Sequence, residues 1–142
     1  MKSKYESVLK VRKQQLDKAQ NNLNNAKQRQ MQNELAYEFA RKECETLSAL
    51  PKSGSIAQLR SNLNMAQVGR EALARAKEKV ELSKNEINHY QFLYKKAYLD
   101  YEKVKFLKAE ELKQKQKELI KAEGKFLDEI AISRFFKGDK NE

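Results

Sequence analysis

The chain of 142 residues has no tryptophan, one proline, one cysteine, one histidine and four glycines. Each scarcity removes a class of protein. The lone Cys44 excludes an intrachain disulfide and a multi-cysteine metal site, in keeping with a reducing compartment. His89 has no second imidazole or neighbouring cysteine and reads as a surface residue. There is no glycine-rich phosphate loop, and the carboxylates sit in salt-bridging contexts rather than as an acid/base pair. No catalytic residue, cofactor or metal is therefore expected, and the chain reads as a non-enzyme. Nowhere do the ~18 uninterrupted apolar residues of a spanning helix occur, and Met1-Lys2-Ser3-Lys4-Tyr5-Glu6 has no apolar run behind its charges. A cytosolic product is expected.

What is present is charge. Charged residues make up 35%, hydrophobic ones 39%, and mean hydropathy is -0.93, the composition of a coiled coil rather than of a globular enzyme with a deep pocket. The formal net charge of +10 is spread along the chain, with acidic residues interleaved throughout. Such mixing describes a solvated helical face with i,i+4 pairs, while the excess steers acidic partners.

Leu50-Pro51-Lys52-Ser53-Gly54-Ser55 divides two long runs of helix formers, because proline cannot continue a helix and the residue before it is pushed toward extended geometry. Ser3-Lys4-Tyr5-Glu6 and Ser55-Ile56-Ala57-Gln58 both read as capping boxes. The pattern predicts one domain over residues 1–142: a helix over about 4–49, a turn over about 50–55, a helix over about 56–136 and a frayed tail over about 137–142. The fold class is all-α, an antiparallel two-helix coiled-coil hairpin with a longer second helix.

Heptad stripes support that reading. The first helix carries Tyr5, Leu9, Leu16, Leu23, Ala26, Tyr37, Cys44 and Leu47 on one face, weakened in the middle by Gln30 and Asn33. The second carries Leu59, Leu63, Ala66, Gly69, Leu73, Val80, Ser83, Ile87, Tyr90, Tyr94, Tyr101 and Val104, with a register slip near Asn62 and Leu63. A tight connection would pair residues whose numbers sum to about 106, burying Leu59 and Ala66 in the seam. The first helix would then run out opposite about Lys105, with a hinge possible at Gly124. Met31, Leu35 and Phe39 fall on the other side of the first helix and should be exposed.

Tyr90, Tyr94, Tyr98 and Tyr101 beside Lys95 and Lys96 could stack on single-stranded bases, but three of the four lie on the face the first helix must cover. Phe126-Leu127-Asp128-Glu129-Ile130-Ala131-Ile132-Ser133-Arg134-Phe135-Phe136 ends the charged helix with an apolar patch that is costly without a cover. A protein partner follows, with fold-back or self-association as the other solution.

The long first helix, the Pro/Gly turn, the longer second helix and the terminal Phe126-Leu127-Asp128-Glu129-Ile130-Ala131 followed by Arg134-Phe135 resemble the FliJ family of the flagellar type III export apparatus. The resemblance implies a non-catalytic central stalk that binds a FliI-like export ATPase hexamer, promotes its activity and links it to the cytoplasmic domain of a FlhA-like export gate protein. Export chaperones are further implied partners. It also implies a cytoplasmic location, peripheral at the inner membrane through the apparatus. By analogy Tyr5, Leu9, Phe126, Ile130 and Phe135 would meet the ATPase, and Leu35, Tyr37, Phe39, Leu59, Leu63, Ala66 and Arg70 the gate. No nucleic acid is expected as a partner. The alternatives are a generic cytosolic coiled-coil scaffold or chaperone, or a basic nucleic-acid-binding rod.

Overall fold

The computed structural model describes residues 3–49 and 54–140, the last two without side chains. Two helices make up the fold, α1 over Glu6–Ser48 and α2 over Ile56–Lys140. They pack against each other as an all-α antiparallel hairpin. The expected turn falls largely on residues 50–53, and the last tail residues are 141–142; both lie outside the described residues. Where the tail was expected to fray, α2 continues through residues 137–140. Gly138 does not adopt the positive φ that would close the helix, so no local signal stops it. Gly124 is likewise helical, with open space where a side chain would sit, and α2 runs through it without a hinge.

The start of α2 is the capping box its sequence spells. The Gln58 amide donates to Ser55 Oγ at 3.1 Å, and the Ser55 amide donates to Gln58 Oε1 at 3.2 Å. The start of α1 differs from expectation. Ser3 Oγ accepts from the Tyr5 amide at 3.1 Å rather than from Glu6, residues 4–5 form a turn, and the helix begins at Glu6. The carboxylate that meets Ser3 is not Glu6 but Glu111 of α2, 2.8 Å from the hydroxyl that donates to it.

The chain divides into two compact units, one of Gln14–Tyr98 and one of Met1–Lys13 with Leu99–Glu142. In the first, Leu23, Ala26 and Ile87 form a buried cluster against which Tyr90 and Tyr94 pack. Further along, an added side chain at Gly69 would stand 3.2 Å from Leu47 Cδ1 and 3.4 Å from Cys44 Cα, so glycine permits the close approach of the helices there. Between these sites lies a polar layer, in which Asn33 Nδ2 donates to Ser83 Oγ. Ser83 in turn donates to the Lys79 carbonyl at 2.8 Å, which satisfies the buried hydroxyl. Arg29 forms an ion pair with Glu86 beside that layer.

These pairings correct the expected register. Relative to a tight turn, α2 is displaced by about seven residues, one heptad, so the same faces meet through different partners. Leu59 is consequently not in the seam. The first turns of α2 lie beyond the level at which α1 ends, and Ile56, Leu59 and Leu63 are 80%, 43% and 49% exposed, whereas Ala66 is buried.

In the second unit the start of α1 reaches further along α2 than Lys105. Arg12 pairs with Asp100 at 3.7 Å, Lys13 lies over the Tyr101 ring at 5.6 Å, and Ser3 meets Glu111. Val104 is buried there. The seam positions of α2 that follow it are Lys108, Glu111, Lys115 and Glu118, so the apolar seam turns polar where α1 begins.

Candidate interaction surfaces

From Leu112 to Gly138 every residue except Ile130 is exposed. Leu112, Leu119 and Phe126 recur at intervals of seven, each one residue after a seam position and therefore about 100° around the helix from it. A longer α1 would not cover them. Phe126, Leu127, Phe135 and Phe136 are all more than 60% exposed, with the last two rings edge-to-face at 6.2 Å.

The five residues assigned to an ATPase separate into two groups. Tyr5 and Leu9 are half-buried, and Leu9 lines an open groove with Tyr101, Lys105, Lys108 and Leu112. Phe126, half-buried Ile130 and Phe135 lie on the extension, and Phe126 is about 21 Å along the helix from Leu112. The structure does not bring the two groups into one patch. At the groove the Ser3 hydroxyl holds the Glu111 carboxyl below the usual carboxylate range, and Lys115 at 3.1 Å acts in the same direction.

The residues assigned to an export gate also divide. Leu35 and Phe39 stand on the outer face of α1, 67% and 69% exposed beside Met31, while Tyr37 turns toward the seam and is half-buried. Leu59 and Leu63 share an exposed face one turn apart. Ala66 is buried, and exposed Arg70 donates to Gln67 Oε1 at 2.7 Å. In the observed register the α1 and α2 groups are about 20 Å apart along the hairpin.

Other residues behave as their positions dictate. Cys44 is buried, its Sγ 4.0 Å from Ser48 Oγ, and His89 is exposed with its ring edge-on to Tyr90. Tyr90, Tyr94 and Tyr101 are half-buried, and Tyr98 is the exposed member of the cluster. Arg29, held by the Glu86 carboxylate, has its pKa raised. Sequence reasoning missed two features. Exposed Leu99 and Phe106 stand seven residues apart on α2, and Asn33 and Ser83, both at heptad positions, could have been matched as one layer. Among the described residues no group of three or more His, Cys, Asp or Glu could hold a metal, and no helix is long and apolar enough to cross a membrane.

Taken together, these features define an all-α coiled-coil hairpin with large apolar residues exposed on both helices. The family described as Flagellar FliJ protein matches residues 1–140, and the chain belongs to that family. The family is a non-catalytic component of flagellar export, and membership places the chain in that process. No curated protein and no solved structure matches it.

Proposed function

We propose that the protein is a cytoplasmic central stalk of the flagellar type III export apparatus, binding the export ATPase hexamer through the α2 extension and promoting its activity. The observation that carries this reading is the set of exposed large apolar residues Leu119, Phe126, Leu127 and Phe135 on the α2 extension, which packs on no other described residue, in a chain of an export family. An asymmetric hairpin inside a six-fold ring touches only some subunits at once and so biases their nucleotide states. In this reading the chain acts through contact, with no catalytic group of its own. Leu59 and Leu63, with Leu35 and Phe39, are the proposed contacts for the gate protein, through which the stalk would be peripheral at the inner membrane. Handling of export chaperones belongs to the same proposal.

The test uses two double variants of the full chain. Phe126→Ala with Phe135→Ala should lose binding to the cognate ATPase yet retain binding to the gate's cytoplasmic domain. Leu59→Ala with Leu63→Ala should do the reverse, with helical content unchanged in both. Undiminished ATPase binding by the first variant would remove the extension from the proposal.

A further inference from the structure

Leu99, Phe106, Ile120 and Leu127 are all more than 60% exposed and recur at one heptad position of α2, with Lys113 at the step between Phe106 and Ile120. The middle three of these five steps stand five residues after the seam positions Tyr101, Lys108 and Lys115 and two after Val104, Glu111 and Glu118. The row therefore lies on the side of α2 turned away from α1. At 1.5 Å per residue it runs for about 42 Å. A single exposed apolar side chain is ordinary, but four held to a seven-residue repeat are the pattern by which one helix meets another.

The charges of the row say what covers it. Lys113 is 70% exposed, and its ion pair, with Glu110 at 3.7 Å, lies within its own turn of helix. The next heptad step after Leu127 is Arg134, so the row holds two cations and no acid. A second copy is a poor cover for such a row. Its steps are symmetric about Lys113, so full overlap of two rows sets Lys113 against its own counterpart whether the helices run parallel or antiparallel, and like charges in one layer repel. A displaced overlap sets Lys113 against an apolar side chain instead. Gly124, four residues after Ile120 and three before Leu127, lies beside the row with open space where a side chain would sit. Glycine is costly inside a helix, and no contact among the described residues calls for it there; such a notch lets a second backbone approach closely.

We propose that the row is the docking face for one amphipathic helix of a partner protein, whose own apolar row carries an aspartate or glutamate opposite Lys113. Leu99, Phe106, Ile120 and Leu127 supply the apolar layers, while the Lys113 layer fixes the register and rejects a helix with a basic or apolar residue there. A straight helix drifts by about 20° per heptad against a strict seven-residue repeat, so the partner winds around α2 with a left-handed twist. The formal net charge of +10 draws an acidic helix toward the face. The inference goes beyond the export reading and needs neither Phe126 nor Phe135.

Two synthetic helices of about five heptads serve as probes, each with leucine at every layer but the third, which is glutamate in one and lysine in the other. The symmetric spacing of the row puts that third layer opposite Lys113 in either orientation. By fluorescence anisotropy the full chain should bind the glutamate probe about tenfold or more tightly than the lysine probe, and Lys113→Glu should reverse the order. Phe106→Ala with Ile120→Ala should weaken binding of the glutamate probe by a similar factor with helical content unchanged, since neither side chain is buried in the free chain. Equal binding of the two probes, binding of neither, or an order that survives Lys113→Glu would overturn the proposal. So would undiminished binding by the Phe106→Ala, Ile120→Ala variant. Self-association of the native chain in sedimentation, abolished by the same double variant, would also overturn it, because a second copy would then cover the row.

Discussion

Replacing Ile87 and Phe126 by alanine separates the seam from the extension energetically. Ile87 is 9% exposed and packs in the cluster with Leu23 and Ala26, whereas Phe126 is 63% exposed. Truncating isoleucine removes three carbons from a site almost closed to water, worth about 0.8 kcal/mol each. A two-helix seam can partly collapse around the hole, so a loss of about 2–3 kcal/mol is expected for Ile87→Ala. Phe126 removes a larger group from a place where little is buried, and its loss should stay within about 0.5 kcal/mol. The assay is urea unfolding followed by circular dichroism at helical wavelengths, comparing midpoints at equal slope. Losses of similar size would refute the reasoning. They would mean either that the extension packs on something in the free chain or that the seam does not carry its stability.

Three further outcomes follow. Ser55→Ala removes the acceptor for the Gln58 amide and should cost about 1 kcal/mol, read as faster hydrogen exchange in the first turn of α2 with seam amides unaffected. Because its carboxyl is held low in the folded chain, Glu111 stabilises docking of the α1 start above its unfolded pKa. That contribution is lost as pH falls through the folded value, and Ser3→Ala should return the Glu111 titration toward the ordinary range in a carboxyl NMR experiment. Gly69→Leu should push the helices apart at Cys44 and Leu47 and destabilise by about 1–3 kcal/mol, seen as a lower thermal midpoint.

Much of the fold was legible because it rests on local chemistry. Ser55 and Gln58 form the reciprocal cap their spacing spells, and the stripe through Leu23, Ala26 and Ile87 is the buried face. The pairing of the helices was not legible, for a physical reason. Seven-residue periodicity is blind to a displacement of seven, so the same faces meet in either register. The observed register is marked by contacts across sequence separations that no local pattern reports, among them Asn33 with Ser83, Arg29 with Glu86, and Gly69 against Cys44 and Leu47. Ser3 was misread for a similar reason, since its carboxylate partner, Glu111, comes from α2. For the candidate surfaces, exposure of Met31, Leu35, Phe39 and the terminal aromatics was visible from their places on the helical wheel. Exposure of Leu59 was not, because it depends on where α1 ends relative to α2.

The stalk reading is tested most directly by the steady-state rate of the cognate export ATPase, measured as this protein is titrated against it. Stimulation that saturates near about one chain per six ATPase subunits is the predicted result, because one hairpin fills one ring. No change in rate, with the ATPase shown to be hexameric under the same conditions, would contradict the account.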